Sequence, residues 1–118
     1  MQKIIGVLFS LLLISGCSSN TNKFIPSTIN SDFPVPASAK ETEGQSGNPN
    51  ILQYQKYNYS KADEISSIHE EYLKAIKNSG WTELKEEQLG AVRFFEKEKQ
   101  KVAISTHDGF FTLNVMKN

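Results

Sequence analysis

The sequence predicts an α+β domain in two layers, with one amphipathic helix packed on an antiparallel sheet of about four to six strands. Three observations predict it. Ile65, Ile68, Tyr72, Ala75 and Ile76 recur at three- and four-residue spacing, the period of a single helical face. The chain after Gly90 alternates apolar and polar residues around Asp108-Gly109, a dipeptide suited to a two-residue hairpin turn. Upstream of the helix, Ile51 to Tyr59 is rich in tyrosine and partly alternating, which reads as a strand. The expected order is β(β)αβββ.

Before that domain comes a segment with a different purpose. Met1-Gln2-Lys3 gives a short positive start, and the run from Ile4 to Ile14 is broken only by Gly6 and Ser10. The run is shorter than the ~20 residues that a helix needs to cross a hydrocarbon core. With the small pair Ser15-Gly16 behind it, it reads as an export signal. Cys17, the one cysteine of the chain, follows at once. Ile14-Ser15-Gly16-Cys17 resembles the lipobox of bacterial lipoproteins: an aliphatic residue, two small residues, then cysteine. The resemblance implies cleavage between Gly16 and Cys17, acylation of the Cys17 thiol, and attachment to a membrane on its extracytoplasmic side. It also accounts for a single unpaired cysteine in an exported chain, since a thioether is no longer a free thiol. Residues 1–16 are thus expected to be a removed leader. Residues 17–32, rich in Ser, Asn and Thr, are expected to be a flexible tether, and residues 33–118 the domain.

Within the domain, Phe33-Pro34-Val35-Pro36 reads as an extended, proline-stiffened entry. Ala37 to Glu43 reads as a short strand, and Gly44 to Asn50 as a loop. Ser60 and Asp63 resemble a capping box, and Gly80 suits a left-handed stop. The helix is therefore expected from Lys61 to Ser79, with Trp81 to Glu87 as a strand after it. Closing the last hairpin on Asp108-Gly109 pairs His107 with Phe110, Thr106 with Phe111, Ile104 with Leu113 and Val102 with Val115. A three-residue loop Glu98-Lys99-Gln100 pairs Phe94 with Ile104 and Val92 with Thr106. Both choices bury one row: Val92, Phe94, Val102, Ile104, Phe111, Leu113 and Val115, which the helix would cover.

One helix covers one face. The same register puts Arg93, Phe95, Phe110 and Met116 on the other, with Ala103, Ser105, Thr112 and Asn114. Phe95, Phe110 and Met116 are more apolar than an idle face needs, so this is the candidate interaction face for a protein partner or a second copy. The alternative is that the proline-rich entry folds over it.

The remaining chemistry is sparse. Thirteen Lys and Arg balance thirteen Asp and Glu, which excludes the basic footprint that nucleic acid requires. His69 lies on the helix with Ile65 and Leu73 at the spacing where a second metal ligand would stand, so no metal site is expected. Ser105 and His107 share a strand face beside Asp108, but no Gly-x-Ser-x-Gly elbow is present. Glu70-Glu71 and Glu86-Glu87 are adjacent rather than facing. No phosphate loop occurs. The proline-flanked entry, the Tyr54 to Tyr59 strand and Gly80-Trp81 are similar to features of small bacterial lipoproteins, a resemblance that transfers no active site. The expectation is a non-enzymatic, lipid-anchored protein of the bacterial cell envelope. It would bind another protein, itself or an envelope component, with no cofactor and no catalytic residue assigned. A small-ligand module, with a cavity between helix and sheet near Trp81 and Tyr72, is the alternative. An enzyme ranks last.

Overall fold

A computed structural model of the chain describes residues 23–63 and 68–117. The leader, the Gly16–Cys17 junction and residues 64–67 of the expected helix lie outside the described residues. The chain folds as α+β. Among the described residues the strands are β1 (Phe24–Pro26), β2 (Pro34–Pro36), β3 (Lys40–Thr42), β4 (Ile51–Asn58), β5 (Thr82–Glu83), β6 (Val92–Lys97), β7 (Gln100–His107) and β8 (Phe110–Met116), and the helix, α1, is Glu70–Asn78. An antiparallel six-stranded sheet runs β3-β4-β8-β7-β6-β5, and β1 pairs with β2 as a separate ribbon.

The β7–β8 hairpin has the register expected from Asp108-Gly109: His107 faces Phe110, Ile104 faces Leu113 and Val102 faces Val115. Gly109 at φ 87° supplies the left-handed turn residue. The β6–β7 register differs. Lys97 pairs with Gln100 and Arg93 with Ile104, so the loop is the two residues Glu98 and Lys99, at φ 48° and 71°. Positive φ at both central positions is the type I′ pattern that matches strand twist. Relative to the expected three-residue loop, β6 is slipped by one residue, which exchanges its two faces. Phe95 is therefore in the core, not on the open face, and Phe94 takes its place outside.

Three side chains hold that register from the helix side. Phe95 is fully buried and its ring lies 5.9 Å from that of Phe33. Arg93 donates from Nε and Nη2 to the two Glu83 carboxylate oxygens at 2.8 and 2.9 Å. Lys97 Nζ donates to Ser79 O at 2.9 Å, at the C-terminal end of α1 where a cation is favoured. Arg93, like Phe95, is thus removed from the open face.

Helix α1 is shorter than the apolar period suggests. Lys61 is in a turn, and Ala62 is held by its neighbours: Gly109 N donates to Ala62 O and Ala62 N to Tyr59 O, each at 3.1 Å. Tyr59 N donates to Gly109 O at 2.9 Å. The backbone of 59–62 is thereby committed to the β7–β8 turn, and the helix begins at Glu70 with His69 as its N-cap residue. Two further expectations are corrected. Trp81 to Glu87 gives only the short β5 and a 3₁₀ turn at Lys85–Glu87. The expected tether 17–32 contains β1, whose Phe24 ring stacks 5.7 Å from Tyr72, so ordered chain begins before Phe33.

The β1–β2 ribbon and α1 form one layer over one face of the sheet. Tyr72, Ile76, Trp81, Phe33 and Val35 meet Tyr57, Phe95, Val102, Ile104, Phe111 and Leu113 there. Two polar tips in this layer are satisfied by backbone: Tyr72 Oη donates to Pro34 O at 2.9 Å and Trp81 Nε1 to Asp32 O at 2.8 Å. The proline-rich entry covers the helix side, not the opposite face.

Candidate functional site

The opposite face carries every second residue of the same strands. Ala103 and Ser105 of β7 and Thr112 and Asn114 of β8 form a floor. Tyr54, Ile51 and Met116 stand on the β4 side, and Phe94, Val92 and Leu89 on the β6 side. Gln45 to Asn48 form a rim. Together they enclose a trough of about 530 Å³, within the ~300–1,000 Å³ of small-molecule sites. Three strand spacings separate its walls, about 14 Å.

Three of the four floor residues are buried although no second layer covers them: Ala103 is 3 % exposed, Asn114 6 % and Thr112 8 %. The walls account for this. Gly44 is part of the reason the β4 wall stands as it does. A Cβ there would lie 2.9 Å from Tyr54 Oη and 3.2 Å from Lys56 Cβ, so only glycine lets the loop lie this close to Tyr54.

Asn114 has a determined orientation. Its Nδ2 donates to Ala103 O and to Thr112 Oγ1, each at 3.1 Å. A backbone carbonyl can only accept, so nitrogen must be the atom facing it. The Oδ1 acceptor accepts no hydrogen bond among the described residues. Beside the floor, Ser105 Oγ and His107 Nε2 share a hydrogen bond of 3.0 Å. The His107 ring stacks on Phe110 at 4.5 Å and 11°, and Lys56 Nζ sits 4.4 Å from the Phe110 centroid. Ser105, His107, Phe110 and Lys56 are thus one row across the hairpin end of the face.

Of the residues expected on the interaction face, Met116 lines the trough, Phe110 lies at its hairpin end, and Phe95 and Arg93 are on the other side. Phe94 and the Gln45–Asn48 rim were not anticipated. A two-residue Glu98-Lys99 turn would have revealed Phe94, but neither residue advertises positive φ. A hollow of about 640 Å³ adjoins the trough across Tyr54, lined by residues 41–45 and 54–56. Its lining is exposed or half-exposed throughout, so it lacks a buried floor.

The helix side offers less room. Between α1 and the sheet a hollow of about 10 Å³ is lined by Tyr59, His69, Tyr72 and Thr106 among others, the space of about one water molecule. The cavity that the small-ligand alternative would need near Trp81 and Tyr72 is filled by those side chains, each 2 % exposed. Tyr59 Oη and His69 Nε2 share a hydrogen bond of 2.7 Å. Burial, aided by Lys61, pushes the His69 imidazole below its ordinary value. Hydrogen bonds from Arg93 hold the Glu83 carboxyl down, and burial drives the Tyr72 phenol well up. Among the described residues, no group of three or more His, Cys, Asp or Glu could hold a metal. Among them, too, no helix is long and apolar enough to cross a membrane. Comparison with protein-family models, curated proteins and solved structures finds no match.

Proposed function

We propose that this chain is a non-enzymatic, lipid-anchored binding module of the bacterial cell envelope, and that the open face of its sheet is the binding surface. The observation that carries the reading is a trough with a buried polar floor on a face that no part of the described chain covers. A face that merely met solvent would not need walls that remove Thr112 and Asn114 from water. The anchor rests on Ile14-Ser15-Gly16-Cys17.

The two halves of the reading fit together. Lys23 pairs with Glu71 at 3.4 Å and Phe24 stacks on Tyr72, so the chain enters on the helix layer. Only Ser18 to Asn22 separate Cys17 from that point, a reach of at most about 20 Å. A lipid on Cys17 would hold the helix layer toward the membrane and turn the trough away from it.

Two experiments test the halves separately. The full-length chain grown with an alkyne-bearing fatty acid is expected to take up label and sediment with membranes, and Cys17→Ser to do neither. Label in Cys17→Ser would overturn the anchor. For the face, a photo-crosslinking residue replaces Phe94 in intact cells, with another at exposed Lys99 as control. A discrete adduct at position 94 alone is the expected result. Adducts at both positions or at neither would overturn the open face as the binding surface.

A further inference from the structure

We infer that the trough takes a short neutral saccharide, an inference that rests on the open face being the binding surface and goes on to name the chemistry of its ligand. Three features select it. The first is charge: none of the residues lining the trough is Asp, Glu, Lys, Arg or His, in a chain where those types are frequent. The nearest cations stand at the margins, Lys101 Nζ 5.8 Å from the Phe94 ring and Lys56 Nζ 4.4 Å from that of Phe110, so an ionic ligand would leave water for a lining without a charged side chain of its own.

The second feature is the floor. Asparagine is depleted in strands, yet Asn114 stands in β8, between two neighbouring strands, with nine-tenths of its surface buried. Its amide hydrogens are committed to Ala103 O and Thr112 Oγ1. That fixes a rigid carboxamide whose remaining valence is the Oδ1 acceptor, on a residue that lines the trough. That oxygen is left for a donor from outside the described chain, so a ligand O–H or N–H can take it. Thr112 and Ser105 add hydroxyls that can either donate or accept. The floor therefore asks for a ligand with several neutral donors and acceptors at close spacing.

The third feature is the pair of aromatic walls. Tyr54 and Phe94 stand on opposite sides of that floor, each half-buried. A sugar ring presents hydroxyls at its rim and C–H groups on its faces, so one molecule satisfies both surfaces: rim to Asn114, Ser105 and Thr112, and C–H face to an aromatic ring. A purely apolar ligand would leave the floor unpaired. A helix from a partner protein would bring bulky side chains onto a polar floor.

The test is chemical-shift titration of the ¹⁵N-labelled lipidated chain in detergent micelles. Four probes are used: diacetylchitobiose, maltose, digalacturonate and the capped neutral peptide Ala-Ser-Ala. The expected result is saturable shifts at Phe94, Ser105, Thr112 and Asn114 with a neutral saccharide at millimolar concentration, and none with digalacturonate or the peptide. Asn114→Leu and Phe94→Ala are each expected to weaken binding by about tenfold or more. If Asn114→Leu loses its dispersed spectrum, Phe94→Ala decides alone.

Shifts elsewhere on the protein, equal binding of digalacturonate, or unchanged affinity in Phe94→Ala would overturn the assignment. Binding of the peptide in the trough would overturn the saccharide and keep the open face as the binding surface. No binding of any probe would overturn the saccharide too, and the crosslink at position 94 then says whether the surface itself survives.

Discussion

The two faces of one sheet differ in almost every property, although they are made by alternate residues of the same strands. Toward α1 the sheet presents Phe95, Val102, Ile104, Phe111 and Leu113, all within 2 % of complete burial. Away from α1 it presents Ala103, Ser105, Thr112 and Asn114 between aromatic walls. The helix face contains what stability needs: rings in contact, Tyr57 on Phe111 at 4.9 Å and Phe33 on Trp81 at 5.0 Å. The open face is walled and partly dry without contributing a comparable apolar core. The difference teaches that the packed core and the open trough are assigned to opposite sides of the strands, and that a one-residue register decides which residue belongs to which.

That division can be attacked at adjacent positions. The largest effect is expected at Phe95→Ala, about 3–5 kcal/mol of lost stability, most of what a domain of this size holds. Chemical denaturation followed by circular dichroism measures it. A small loss would mean that the register is the other one. Next comes Arg93→Ala, which leaves the Glu83 carboxylate with 3 % of its side chain exposed and no guanidinium. Its expected cost is about 1–3 kcal/mol, and Arg93→Lys, which loses the two-pronged geometry, should recover only part of it. Full recovery by lysine would contradict the paired geometry.

The pH dependence of stability separates two groups on the helix side. Glu83 is held below its ordinary 4.5 chiefly by hydrogen bonds from Arg93, so the folded state binds fewer protons than the unfolded one. Its contribution is fully present above about pH 4.5 and is lost as pH falls below it. His69 is held below 6.5 by burial and then by Lys61. Its contribution is present above 6.5 and begins to fall away as pH drops through that value. His69→Gln should flatten the stability curve just below pH 6.5 and leave the lower, Glu83-dependent decline intact. A curve unchanged by that substitution would remove His69 from the account. Lys97→Met is expected to cost about 0.3–1 kcal/mol by removing the cation from the end of α1. The smallest effect belongs to Phe94→Ala, within about 0.5 kcal/mol, although it should weaken whatever binds the trough.

Legibility in the sequence followed how local the determinants were. Asp108-Gly109 carries its turn type in its own residues, and every pair in β7–β8 follows from it. Glu98-Lys99 makes its two-residue turn with positive φ at both positions and without glycine or asparagine, where the other turn has it at Gly109 alone. Because Phe94 and Phe95 are both aromatic, alternation could not reveal the slip. Partners distant in sequence decided it: Glu83 for Arg93, Phe33 for Phe95 and Ser79 for Lys97. The helix start was hidden for a similar reason. Residues 59–62 bond to Gly109, a tertiary demand that overrides an apolar period. The open face was foreseen as a face, and Met116 and Phe110 upon it. Its concavity was not, because the wall depends on the loop at Gly44 lying against Tyr54.

The central claim, that one face of the sheet is sealed and the other open, is tested most directly by thiol accessibility at two consecutive positions. Ser105 and Thr106 are neighbours in β7 on opposite faces, and Thr106 is 3 % exposed. Both are close to cysteine in size, and Cys17 is the chain's one native cysteine. In a Cys17→Ser background, Ser105→Cys is expected to react with a small maleimide readily in the native protein. Thr106→Cys is expected to react only in denaturant. Protection of both thiols would mean that something covers the face, and equal reactivity of both would mean that the helix layer does not seal the other side. Either outcome would contradict the account.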